Sequence, residues 1–190
     1  MKPFRNTERI TGILFLTAMI TSLVGGGLLE TTQVNSNQII LVTGVALEIV
    51  NALAVLGIGI LLFPVLKNFE KNAAKIYLGL RILESVACLA APLTLVFWSN
   101  SSYLRVTLTG TFIPLFFCCG ALVLYSVLYK YRLLPRFISI WGFAGVAGIV
   151  VLNAFRIQSN LGMILALPII LNEIFLGILL IVKGFILKKH

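Results

Sequence analysis

Six apolar runs of about twenty residues follow one another along this chain, separated only by short polar joints. A hydrocarbon core roughly 30 Å thick requires about twenty apolar residues of each spanning helix. Strands of a membrane barrel would instead alternate apolar and polar residues over about ten positions. The runs are solid, so they predict an all-α, polytopic membrane bundle of six transmembrane helices. Composition agrees, because 59% of the 190 residues are hydrophobic, 11% are charged and the mean hydropathy is +1.07. Soluble domains carry about a quarter charged residues.

The spans are placed at Ile10 to Leu29, Ile39 to Leu62, Ile76 to Trp98, Val106 to Leu128, Phe137 to Phe155 and Leu161 to Val182. The joints are too short to hold a soluble domain, which leaves one domain over residues 1–190. Lys2, Arg5 and Arg9 before the first run resemble a secretory leader, but a small-residue cleavage site is missing and the run is too long, so the segment is read as the first helix. Pro64 and Pro135 are read as helix boundaries. Pro92, Pro114 and Pro168 fall inside spans, where each removes a backbone hydrogen bond and can kink its helix.

The net charge of +9 follows the joints and does not form a nucleic-acid patch. Lys2, Arg5, Arg9, Lys67, Lys71, Lys75, Lys130, Arg132, Arg136, Lys183, Lys188 and Lys189 fall on one side, against Arg105 and Arg156 on the other. Basic residues stay on the cytoplasmic side of inserting chains. This places both termini in the cytoplasm, with anionic lipid headgroups as the partners of the basic joints. Trp98, Tyr103, Tyr129, Tyr131 and Trp141 fall near the predicted interfaces, where amphipathic rings prefer to lie.

Several chemistries lack their residues. The chain has no Asp, and its one His is the C-terminal His190, which removes a Ser-His-Asp triad, an aspartyl dyad and a histidine-based metal or haem site. No metal or cofactor is therefore expected. Gly25 to Gly27 and the Gly57-Ile58-Gly59 trio lie in or at the ends of apolar helices and are not phosphate loops. Cys88, Cys118 and Cys119 lie inside apolar runs and are read as packing residues.

Four ionisable side chains remain inside the spans: Glu48, Arg81, Glu84 and Glu173. Each costs up to roughly 2.5–3.5 kcal/mol near a helix centre, so each is expected to face protein or water. The three acids lie close to the midplane at a rise of about 1.5 Å per residue. Arg81 precedes Glu84 by one turn on the same face. Gly44, Glu48, Asn51 and Val55 share a stripe, as do Tyr77, Arg81, Glu84 and Cys88, and Ala166, Glu173 and Gly177. Helices two, three and six are thus expected to meet around a polar cluster of Glu48, Asn51, Arg81, Glu84 and Glu173. Three carboxyls cannot all be neutralised by one guanidinium, so one of them holds a proton in some state. A secondary polar set, Asn153, Arg156 and Glu30, is expected toward the outer side, as a vestibule or as solvated anchors.

Several blocks carry a resemblance: Leu47-Glu48-Ile49-Val50-Asn51-Ala52, Phe63-Pro64-Val65-Leu66-Lys67, Arg81-Ile82-Leu83-Glu84, Leu134-Pro135-Arg136 with Trp141-Gly142, and Leu167-Pro168 through Asn172-Glu173 to Val182-Lys183-Gly184-Phe185. In this order they resemble the bacterial membrane family known as domain of unknown function 4386, from about Arg9 to Phe185. The resemblance implies a bacterial plasma (inner) membrane and a six-helix fold, and it brings no reaction or substrate. Three readings of function stay open. The first is a small transporter or proton-linked permeation protein, completed by a homodimer. The second is an accessory or regulatory subunit whose buried charges specify packing against a membrane partner. The third is an intramembrane enzyme on a lipid-like substrate, with Glu as acid or base, which ranks last for want of a nucleophile.

Overall fold

The computed structural model describes residues 5–32, 37–97, 102–155 and 160–186. All the regular structure in these segments is helical, and six helices are long and apolar enough to cross a membrane. They are α1 (Arg5–Thr32), α2 (Gln38–Lys67), α3 (Lys71–Phe97), α4 (Ser102–Thr107 continued by Leu108–Phe112 and Ile113–Tyr131), α5 (Arg136–Ala154) and α6 (Asn160–Val182).

Several helices extend beyond their apolar runs. α1 starts at Arg5 and α2 runs through Pro64 to Lys67, so Pro64 lies inside a helix and does not end one. Pro135 does sit at a boundary, as the residue preceding α5. The largest difference is in α4, which begins at Ser102 and carries Arg105 into the bundle. Hydropathy cannot show this, because a charged side chain inside a helix looks like a joint until its partner is known. Residues Leu108–Phe112 of α4 form a π turn next to Pro114, which lacks the N–H that a regular helix would use. Trp98, Arg156, Lys2, Lys188 and Lys189 lie outside the described residues.

Each helix packs against the next in sequence, and α6 returns to α1, which closes a ring. Small residues make the closure possible. A methyl group at Gly12 would stand 2.5 Å from the Gly177 carbonyl oxygen, and one at Gly177 would stand 3.0 Å from that of Gly12. The α1 and α6 backbones therefore touch directly, as small residues allow in membrane bundles.

The start of α1 and the end of α6 meet at one end of the ring, called here the basic end. Arg5 donates to the carbonyls of Ile181 (3.2 Å) and Val182 (2.6 Å), a cation on the last turn of a helix. Glu8, fully buried, accepts the backbone N–H of Phe185 (3.0 Å), and Ile186 donates to the Leu133 carbonyl (2.8 Å). Lys130 and Tyr131 reach Glu70 between α2 and α3 at 2.9 and 3.3 Å.

Packing is uneven along the ring. Leu62, Leu66, Tyr77, Leu124, Tyr125, Leu128, Leu133, Leu134 and Ile138, all nearly fully buried, fill the half nearer the basic end. Among the described residues, Leu29 is the one large side chain of comparable burial near the opposite end. The basic half is thus a packed plug, and space remains beyond it.

Candidate functional site

That space is a cavity of about 270 Å³, to which all six helices contribute side chains. Its walls are mostly apolar, with Phe15 and Met19 from α1, Val55 from α2, Phe117 from α4, Ile149 from α5 and Ile169 from α6. Its polar groups are Ser22, Asn51, Arg81, Glu84 and Glu173. The lining reaches Ser22 and Leu23, both exposed, and Pro114 beside the π turn, all on the far side of the plug. A few polar groups at the base of an apolar concavity form the usual pattern of a small-molecule site.

Arg81 and Glu84 lie at the boundary between plug and cavity. The Arg81 Nη1 donates to both Glu84 oxygens, at 3.1 and 2.9 Å, and the side chains are only 3% and 5% exposed. The Arg81 Nε donates to the Tyr77 hydroxyl at 3.0 Å. The rings of Tyr77, Phe117 and Phe15 surround the guanidinium at 5.3, 5.9 and 6.0 Å from their centroids. Such contacts stabilise a cation most where water is excluded. Arg81 Nη2 has no hydrogen-bond partner among the described residues.

Glu173 differs from Glu84. It lines the same cavity and is half-buried, yet among the described residues its carboxyl accepts no hydrogen bond and lies within 4 Å of no basic nitrogen. Its neighbour Asn172 faces the plug, where it donates to the Tyr125 hydroxyl at 2.7 Å. Asn51 reaches the cavity from α2 with no side-chain hydrogen bond among the described residues, while Ser85, one residue after Glu84, ties α3 to α2 through the Ala52 carbonyl at 2.8 Å.

The cavity therefore gathers Asn51, Arg81, Glu84 and Glu173. Glu48 lies apart from it, with Oε1 3.7 Å from Arg105 Nη2 and both side chains largely buried. A one-turn step along α2 separates it from Asn51, and the inward course of α4 supplies its partner. Of the secondary set, Asn153 donates to the Ile149 carbonyl of its own helix at 2.8 Å and Glu30 is exposed at the end of α1. Arg156 lies outside the described residues.

Sequence reasoning missed Tyr125, Asn172 and Glu8. Tyr125 lies six residues from the end of its helix, where a ring reads as an interfacial anchor. Asn172 is hidden by the acid beside it. Glu8 precedes the apolar run, so its burial depends wholly on the returning tail of α6.

The family model described as Domain of unknown function (DUF4386) matches residues 10–184, nearly the whole chain. No curated protein and no solved structure matches it.

Proposed function

We propose that this chain, which belongs to the DUF4386 family, is a small proton-linked transport or permeation protein of a bacterial plasma membrane. One observation carries this reading. Among the described residues, Glu173 is a carboxyl without a hydrogen-bond partner, in a mid-span cavity beside the packed plug. The distribution of basic residues favours a cytoplasmic location for the plug end of the bundle. An intramembrane acid in such a cavity can take up and release a proton, and transporters bind substrate and coupling ion near the midplane. The π turn before Pro114 and the helical Pro92 and Pro168 supply places where the ring can bend.

The test is proton flux into liposomes that contain the purified protein and a trapped pH-sensitive dye. Wild type is expected to dissipate an imposed pH gradient faster than empty liposomes, and Glu173→Gln is expected to return to the empty-liposome rate. Equal rates for wild type and empty liposomes overturn the reading.

A second reading, an accessory subunit, draws on the near-complete burial of Arg81 and Glu84, which is what a packing determinant requires. On that reading Glu173→Gln changes no flux, and Glu84→Gln lowers abundance in the membrane.

A further inference from the structure

We infer that the cavity binds a small lipophilic organic cation, which exchanges with a proton at Glu173. The inference rests on the proton-linked reading above and names its substrate class.

Charge is the first argument. Arg81 is matched by Glu84 through two hydrogen bonds, so the pair is neutral as a unit. Glu173 is then the unmatched group, and it has two ways to avoid an uncompensated charge in a low-dielectric site: a proton or a cationic partner. An anion is disfavoured, since it would join two carboxyls that share one guanidinium. The titratable groups around Glu173 are Arg81, Glu84 and Cys88 of α3 in the cavity wall, with Tyr77 and Tyr125 close by, and Glu48 of α2, paired with Arg105 of α4, lies beyond Cys88. The cavity residues of α1, α2 and α5 carry no charge. Among the described residues, no basic nitrogen lies within 4 Å of the Glu173 carboxyl.

Lining chemistry is the second argument. A hard metal ion needs about six or more oxygen ligands. The cavity offers Glu173, Asn51 and Ser22 against walls of Phe, Met, Ile, Val and Ala. These walls suit a hydrocarbon body. Size is the third argument: a cavity of about 150 Å³ holds benzene, so about 270 Å³ holds roughly ten non-hydrogen atoms.

The exchange balances in charge and in atoms. The protonated Glu173 carboxyl releases H⁺ to water as the cation enters, and the carboxylate and cation form an ion pair. No covalent bond other than the O–H is broken.

The probe is phenyltrimethylammonium, which has ten non-hydrogen atoms and no acidic proton of its own. Tert-butylbenzene is its neutral counterpart of equal shape. Full-length protein in lipid nanodiscs is titrated calorimetrically in weak buffer while proton release is followed with a dye. Expected are saturable binding of the cation, release of up to one proton per cation and an apparent Kd that weakens about tenfold per pH unit where Glu173 is protonated. The neutral probe should bind at least tenfold more weakly and release no proton. Glu173→Gln should abolish binding. Glu84→Gln should also weaken it at least tenfold, because Arg81 then becomes the counter-charge of Glu173.

Equal binding of the two probes by wild type, or binding of the cation without proton release at any pH, overturns the inference without recourse to a variant that must fold. If cation binding and proton release are seen but liposomes show no flux, the binding site stands and the transport reading falls. If flux depends on Glu173 but the cation does not bind, the transport reading stands and this inference falls.

Discussion

Arg81 uses two of its three side-chain nitrogens, one for both oxygens of Glu84 and one for Tyr77. Its removal leaves a carboxyl in a packed site without a counter-charge. Arg81→Met is therefore expected to destabilise the protein by about 3–5 kcal/mol, measured by unfolding in mixed detergent micelles. Arg81→Met combined with Glu84→Met should lose less than the two single changes added together, since no isolated charge is left. Glu48 and Arg105 meet at the longer distance of 3.7 Å. The contact of Arg81 with Glu84 is legible in the sequence because residues three apart on a helix are neighbours. The partner of Glu48 is not, because it arrives from a helix more than fifty residues away and only packing brings it there.

At the scale of elements, the ring depends on how closely its first and last helices approach. Their backbones meet at Gly12 and Gly177, where an added methyl group would run into the facing backbone carbonyl as well as the Ile181 or Leu16 side chain. Gly12→Ala is expected to cost about 1–3 kcal/mol by forcing this seam apart. Gly79 meets no atom within 4 Å of an added methyl, so Gly79→Ala should be neutral or stabilise α3 by up to about 1 kcal/mol. The same unfolding measurement on both variants separates the seam from a general intolerance of glycine replacement. Helix existence and approximate length are legible from hydropathy, since each span must satisfy its backbone internally whatever surrounds it. The rotation of each helix about its axis is not, as it follows from which neighbour each face meets.

The whole molecule has two unlike ends, and both can be tested. Tyr103 is 83% exposed at the start of α4, whereas Glu70 lies at the basic end between α2 and α3. In a Cys119→Ser background, with Cys88 and Cys118 buried, a membrane-impermeant maleimide should label Tyr103→Cys in intact cells and Glu70→Cys only after lysis. The opposite pattern would reverse the orientation. Glu70 also links the basic end to pH. The hydrogen bond from Lys130, then its charge, holds the Glu70 carboxyl below its ordinary range. A depressed value in the folded state means that the unfolded chain binds the proton more readily. The stabilisation is thus complete above the ordinary carboxylate range, near about 4.3, and is lost as the pH falls through the folded value. Melting curves of wild type and Glu70→Gln should converge in that acid range and separate above it, by a modest amount because the pair is exposed.

The sequence by itself determined six spans, an all-α bundle and the placement of Arg81 one turn from Glu84. These are local consequences of apolar run length and of the 3.6-residue helical period. Only the tertiary structure decided that the six helices close into a ring, that Glu48 turns to Arg105 while Glu173 faces a cavity, and that the packed half lies at the end where the start of α1 meets the end of α6. Each of these depends on contacts between helices far apart in the chain. In a bilayer, moreover, apolar surface faces lipid and protein alike, so hydrophobicity alone does not reveal the inward side.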